Sequence, residues 1–563
     1  MTGRGKFVLT LLILAMAGIG VYKWWDKLKP VAPAAATAAT AAGATPAAAS
    51  TAATAAGAAE IAEGIVEPLY ACPILEPAGV YVPKDNTVDI ELSEYAGYAG
   101  LVAANGGLEP SENSIFFRKH GFKVRIKLSE EESWSALNAG RMAASATTVD
   151  VLATHCRTFH VTVPVQIGYS RGADGIVVRK DIRRINDLKG RTLITAQFTE
   201  ADFFLRYLAQ EAGLGMNMLA DLGTRPDPEK VNVVYAADAF TAGDLFLKEL
   251  QSGGKRLAGC VTWAPKTTEV VEASAGAAQL LTTNKNLLIV ADILVVNKGF
   301  AQANPAIVAG LTAGILEGNS LVRDNPAAQL DLIAKAFKWS REDARAELAK
   351  VHFSNFPENQ AFFSGAIDAA GSFTGIFQSA VLAYGSELIK DPLDPDRFSD
   401  LTHLQALEKT GQFASQQLAI APIRSTSTGA IEGDPLLSKD IRFLFEPNSS
   451  KLDLTYQANL DNLGAIKRLL QVSPGSTILL RGHVDNALVE KFREQGGEPF
   501  VRQMALKAME LSKNRASEIR RVLVEQQKVD AARLETVGRG WEEPAGPDPE
   551  KNRRVEVQWF TVE

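Results

Sequence analysis

Thr477-Ile478-Leu479-Leu480-Arg481-Gly482-His483-Val484-Asp485-Asn486 carries an apolar stretch straight into a glycine, a histidine and an acid. The run Thr477 to Leu480 reads as a buried strand, so Asp485 sits where that strand leaves the core and enters a loop. Loops at strand ends are where a rigid scaffold holds a charged group out to a ligand. Two later stretches accompany it, Leu511-Ser512-Lys513-Asn514-Arg515-Ala516 and Asn552-Arg553-Arg554-Val555-Glu556. The first opens an amphipathic helix with Leu511, Ala516, Ile519, Val522 and Leu523 on one face and Arg515 at its margin. An acid and a base presented from neighbouring elements suit a zwitterionic amino-acid head group, the guanidinium forking onto its carboxylate. They suit a structural salt bridge equally, and the pair alone leaves both readings open.

The three blocks in this order resemble the OmpA-like peptidoglycan-binding domain, with its glycine-aromatic/His-x-Asp loop, Leu-Ser-x-x-Arg-Ala helix and late Asn-Arg-Arg-Val-Glu strand. Ile441 to Leu452 (IRFLFEPNSSKL) looks like that domain's opening strand, with Phe443 and Phe445 on one face. The resemblance covers about Lys439 to Glu563 and implies a small α+β domain over 437–563. It implies that Asp485 and Arg515 hold the diaminopimelate of the cell-wall stem peptide, with Arg553 from the late strand beside them. The chain departs from the family after Asp485, where a short Gly-containing run ending in Tyr-Asn is usual. Here Ala487 to Glu510 intervenes, with Gly496-Gly497-Glu498-Pro499 and an apolar helix.

The chain has 563 residues, room for several domains, and its formal net charge of −6 gives no sign of a nucleic-acid partner. Cys72, Cys156 and Cys260 have neither Cys-x-x-Cys spacing nor a metal-ligand rhythm, and read as small core residues with room for one disulfide. At the amino end, Arg4 and Lys6 precede an apolar run from Phe7 to Tyr22, followed by Trp24 and Trp25. That pattern fits an N-terminal transmembrane helix with an interfacial tryptophan belt, or a cleaved signal segment, over residues 1–29. Residues 30–60 are almost wholly Ala, Thr, Pro and Gly, and lack the apolar bulk that repays ordering. As a flexible linker this tract would reach about 30 Å.

From Val88 the texture changes to alternating strands and helices, the pattern of an α/β domain with a largely parallel sheet. Val88 to Leu92, Phe122 to Leu128, the Ser114 to His120 helix and the Trp134-to-Gly140 helix open it. Ile185-Asn186-Asp187-Leu188-Lys189-Gly190, Phe203-Phe204-Leu205-Arg206-Tyr207-Leu208, Cys260-Val261-Thr262-Trp263-Ala264-Pro265 and Ile293-Leu294-Val295-Val296-Asn297 continue it. In this order the pieces resemble the type II periplasmic solute-binding proteins of the nitrate/sulfonate/taurine and thiamine-precursor group. That resemblance implies a two-lobed domain over 87–410, its second lobe roughly 180–290, with Asp394 to Leu407 strapping the lobes. A second linker, 411–436, then leads to the C-terminal domain.

Ligands of such folds sit beyond the carboxyl ends of the strands. By position the candidates are Tyr95, Tyr98, Thr147, Asp174, Thr199 and Trp263, each aromatic suiting core packing as well, and Thr199 suiting a helix N-cap. Few basic residues fall in these loops, Arg171 being the nearest and suiting a solvated surface charge as well; Asp174, Glu200 and Asp292 suit an amine, and the sequence leaves the substrate class open. No nucleophile elbow, zinc-type His pair or phosphate loop is present, and His155, Cys156 and His160 do not form a triad. Binding without catalysis and without a cofactor is the expectation. The whole reads as a receptor held in the inner membrane of a Gram-negative-type envelope by one span, its bulk in the periplasm. Its expected partners are peptidoglycan, a small solute and an inner-membrane transporter. The alternative is a structural tether whose solute-binding fold has lost its ligand.

Overall fold

The computed structural model describes residues 61–129, 133–366, 371–420, 435–446 and 449–561. The Phe7–Tyr22 run, the 30–60 tract and the 421–434 part of the second linker lie outside the described residues. In chain order the strands are β1 (Ile65–Val66), β2 (Thr87–Leu92), β3 (Lys123–Leu128), β4 (Ala144–Thr148), β5 (Val161–Ser170) and β6 (Asp174–Arg179). There follow β7 (Thr192–Ala196), β8 (Met216–Met218), β9 (Val231–Ala236), β10 (Gly259–Trp263), β11 (Ala278–Thr283), β12 (Ala291–Asn297) and β13 (Val351–Phe353). The C-terminal strands are β14 (Leu437–Ile441), β15 (Thr477–Gly482), β16 (Leu534–Gly538) and β17 (Val555–Phe560).

Among the described residues these strands make three sheets. The first lobe holds the order β13-β5-β12-β4-β2-β3, and the second holds β1-β9-β7-β10-β6-β11 with β8 on β9. Each lobe has a parallel heart: β2 beside β3 and β4, and β7 beside β9 and β10. The expected largely parallel sheet is only half right, because β12 runs antiparallel to β4 and β5, and β6 antiparallel to β10 and β11. The chain crosses between lobes three times, from β1 to β2, from β5 to β6 and from β11 to β12, and on the last two crossings the entering strand, β6 or β12, runs against both of its neighbours.

Local chemistry sets the element ends. Ser114 accepts from the Phe117 amide to start the Ile115–His120 helix, and Gly121 at φ +77° ends it. Asn297 ends β12 and caps the next helix through the Phe300 amide. Pro305–Asp324 is long and apolar enough to cross a membrane, the one such helix among the described residues, yet 61% of its apolar window is buried inside the first lobe. It crosses Ala99–Asn105 so closely that a Cβ on Gly318 would stand 2.0 Å from the Gly100 carbonyl oxygen. The strap between lobes is the helix Phe373–Leu388, which packs on both Val149–His155 and Glu200–Glu211. The expected strap, Asp394 to Leu407, instead ends in the helix Thr402–Thr410, which lies against Pro305–Asp324 and β5 of the first lobe.

The C-terminal sheet has the order β14-β17-β15-β16, with β15 and β16 parallel and the other pairs antiparallel. Trp559 is fully buried at its centre. This domain docks on the second lobe. Ile185 N donates to Leu436 O at 2.9 Å, and Asn186 exchanges two hydrogen bonds with the Ser438 backbone at 2.7 and 2.8 Å. Leu288, on the return crossover just before β12, donates its amide to Val472 O at 2.8 Å and is buried in the same core as Leu470 and Val472.

Candidate functional site

Strand register builds a polar cleft at the hinge. Trp263, the last residue of β10, pairs with Asp174, the first of antiparallel β6; Thr148, the last of β4, pairs with Asp292 near the start of β12. Antiparallel neighbours thus bring a strand end and a strand start to the same edge. Two small adjoining cavities open there, sharing Ser93, Tyr98, Thr148, Glu200 and Trp263. Tyr95, Tyr98, Asp174 and Trp263 line the first cavity together with Ser170 and Asp292, and Thr147 lines the second. Thr199 lines neither. It stands at the N-cap position of the Glu200–Glu211 helix, but its hydroxyl turns back to the Ala196 carbonyl at 2.9 Å and makes no side-chain cap. Arg171 is spent on the Lys285 carbonyl at 3.0 Å.

The cleft is acidic. Ser170 Oγ and Asn284 Nδ2 donate to Asp174 Oδ2 at 2.5 and 2.8 Å, and the Tyr98 hydroxyl reaches Asp292 Oδ1 at 3.4 Å. Burial, opposed by those hydrogen bonds, leaves Asp174 pushed up to about 6. Burial and the neighbouring Asp174 charge hold Asp292 well above the ordinary carboxylate range. Asp150, two residues beyond Thr148, is pushed up to about 7, chiefly by burial. Asp292 Oδ2, Tyr95 Oη, Thr147 Oγ1 and Trp263 Nε1 are buried with no hydrogen-bond partner among the described residues. Tyr95 and Tyr98 meet edge to face at 5.3 Å, and Trp263 leans on Phe240 at the same distance. Sequence reasoning missed Asp150, which reads simply as a first-turn acid complementing its helix. It also missed Asn284, a loop residue with no motif around it.

The second candidate site is in the C-terminal domain, where Arg442, Phe443, Phe445, Gly482, His483, Arg515 and Arg553 line a pocket of about 630 Å³. Asp485 pairs with Arg553 at 3.0 Å, not with Arg515. The Arg515 guanidinium lies over the Phe445 ring at 4.9 Å, and its Nε is buried with no hydrogen-bond partner among the described residues. Burial and the nearby Arg553 charge lower its affinity for its proton, and Asp485 opposes them. His483, Glu543 and Glu556 bring ligand atoms within 4.8 Å of one another. Arg481 already bridges the two acids, at 2.7 Å from Glu543 and 2.8 Å from Glu556. Burial works against ionising Glu556, but His483, Gln558 and the Arg481 charge bring it down to about 2.

The insert after Asn486 lengthens the helix that carries Arg515, which now runs Val489–Glu525 with a kink at Gly496 and Gly497. Phe492 folds onto Phe500 and Trp541 at 5.8 and 6.2 Å. Leu511, expected on the inner face, is 38% exposed. The inner face carries Ala508, Ser512 and Ala516 instead, because the helix rides directly on β15 and β16. A Cβ on Gly482 would meet the Ser512 carbonyl oxygen at 2.1 Å. Gly482→Ala is therefore expected to destabilise the C-terminal domain by about 1–3 kcal/mol, read as a lowered urea midpoint; an unchanged midpoint would refute the close approach.

Comparison with known families decides what these two units are. Residues 112–329 match the NMT1/THI5 like family and residues 444–558 match the OmpA family. The chain joins an NMT1/THI5-like domain to a C-terminal OmpA-family domain. Over 124 residues, 21% of the chain, it is 28% identical to outer membrane protein Omp38 of Acinetobacter baumannii, and spans 30% of that protein's length. The periplasmic aliphatic sulphonate binding protein SsuA of Escherichia coli superposes with a TM-score of 0.42 at 16% identity, covering 56% of this chain and 97% of its own. The periplasmic nitrate-binding protein NrtA of Synechocystis gives 0.42 at 12% identity, covering 59% and 90%. The NMT1/THI5-like match includes Asp174, Glu200, Trp263 and Asp292 of the cleft but begins after Tyr95 and Tyr98; the OmpA-family match contains Asp485, Arg515 and Arg553.

Proposed function

We propose that this protein is a periplasmic solute-binding receptor held to peptidoglycan by its OmpA-family domain. The observation that carries the reading is the pairing, in one chain, of a hinge cleft with unsatisfied buried polar groups and a cationic pocket with an acid at its rim. In the C-terminal pocket Arg515 would take the carboxylate of a diaminopimelate head group and Asp485 its ammonium, Arg553 giving up its bond to Asp485 or adding to the carboxylate grip. In the cleft, Tyr95, Tyr98, Thr147, Asp174 and Trp263 would hold the solute, without covalent chemistry. The Phe7–Tyr22 run would serve as the inner-membrane anchor, and an inner-membrane transporter would receive the solute.

The wall-binding half is tested by pull-down with purified sacculi. Asp485→Ala and Arg515→Ala are each expected to reduce the bound fraction to about a tenth or less of wild type, since each removes one charge-assisted contact worth about 1.5–3 kcal/mol. Both residues lie at a pocket edge, so thermal unfolding should stay close to wild type. Full retention by both variants would return the pair to a structural role.

A further inference from the structure

We propose that the cleft takes a small organic cation, a protonated amine or amidine, with Asp174 and Asp292 as its counter-charges and Tyr95, Tyr98 and Trp263 as its aromatic walls. The inference rests on the solute-binding reading and names the class of solute. The charge count of the lining decides it. Glu91, Asp174, Glu200 and Asp292 face the two cavities, and no Lys, Arg or His does so among the described residues. Glu91 is answered by Lys127 at 3.4 Å. Asp202, behind the cleft, is answered by Arg206 at 2.9 Å. Asp174 is met by neutral donors, the Ser170 hydroxyl and the Asn284 amide among them, and Asp292 by the phenols of Tyr98 and Tyr95, with no cation on either acid among the described residues.

Buried carboxylates left without a cation cost stability, and a fold keeps such groups where a ligand answers them. The walls point the same way. The faces of tyrosine and tryptophan attract a cation, most strongly where water is excluded. Trp263 Nε1 and Thr147 Oγ1, both more than nine-tenths buried and unpartnered, remain to orient a polar group on the same molecule. An anion finds no such welcome. Glu200 and Asp202 in the first turn of one adjoining helix, and Asp150 in that of the other, already take the positive dipole ends.

With the cleft empty, burial favours a proton on the Asp174–Asp292 pair, with Asp150, Glu200, Tyr95 and Tyr98 around it. An incoming ammonium would take that proton's place, so binding near neutral pH should release a proton. Calorimetric titration of the full chain tests this with ethanolamine, putrescine and benzamidine as cations, and ethanesulfonate and nitrate as anions. The expected result is binding of a cation and of neither anion, with an enthalpy that changes between buffers of different ionisation heat. Asp174→Asn and Asp292→Asn should each weaken that binding about tenfold to a hundredfold, and Trp263→Ala about tenfold. Anion binding without cation binding would overturn the cation class and leave the solute receptor standing. Cation binding that survives both Asn variants, or that releases no proton, would overturn the assignment to this pair. Binding of neither class would take the solute-binding reading down with it.

Discussion

Asp150→Asn is expected to stabilise the ligand-free protein by about 4 kcal/mol near pH 8 and to have no measurable effect below about pH 4. The group is fully buried, and burial first, then the charges of Asp174 and Asp202, raise it from 3.8 to about 7, against the pull of Thr148 and of its own backbone. The folded state therefore holds the proton more tightly than the unfolded chain. The stability that this adds is complete below the unfolded value of 3.8 and is lost as pH rises through about 7. An asparagine cannot ionise and escapes the loss. The rise of about three units, at about 1.36 kcal/mol each, sets the size. Subtracting the two urea-denaturation profiles, measured from pH 4 to 8, removes the opposite slope of His155. Burial holds that imidazole down to about 4, so its contribution is present above its unfolded value of 6.5 and fades as pH falls through about 4. A difference profile that stays flat across this range would refute the buried ionisation.

Asp202→Ala should cost about 3–5 kcal/mol, because it strands a charge rather than removing one. Asp202 is fully buried and the Arg206 side chain only 4% exposed. The guanidinium donates to Asp202 Oδ1 at 2.9 Å and to the Tyr235 hydroxyl at 2.7 Å, and lies over the Tyr384 ring at 4.9 Å. The other carboxylate oxygen accepts from the Phe198 amide at 3.2 Å, at the turn that enters the helix. Tyr384 belongs to the strap helix and donates to the Thr199 carbonyl at 3.3 Å, so this cluster joins the strap to the second lobe. The double change Asp202→Ala with Arg206→Met removes both charges and should recover most of the loss. A single variant that unfolds at the wild-type urea concentration, or a double variant no better than the single, would count against the ion pair.

The parts of the site that were legible in sequence are those written by neighbouring residues. Gly482-His483-Val484-Asp485 announces a strand ending in a loop, and the stretch from Ser114 to His120 announces a helix. Each is decided by hydrogen bonds and side-chain periodicity within a few positions. The partner of Asp485 was not legible in this way. Arg515 and Arg553 come from different elements, and only the packing of helix against sheet puts Arg553 on the acid and Arg515 on Phe445. Leu511 is misplaced for a local reason: five positions from Ala516, it lies about 140° round the helix from that residue and off the buried Ala508, Ser512 and Ala516 stripe, whose Ser512 backbone comes down on Gly482.

From sequence alone come the two kinds of domain, the main strands and helices, and Asp174, Glu200 and Asp292 as separate residues, because local patterning and short motifs carry that information. The tertiary structure alone decided their convergence and direction. Asp150, Asp174, Glu200 and Asp292 lie on four elements, and the antiparallel strands β6 and β12 bring Asp174 and Asp292, from separate sheets, to one cavity. The docking of the C-terminal domain onto Ile185, Asn186 and Leu288 is likewise tertiary, since apart from the Asn186 amide it pairs backbone groups that carry no side-chain signature. The strength of a buried charge depends on what surrounds it in space, and spatial neighbours are set by chain reversal and packing, which no window of sequence contains.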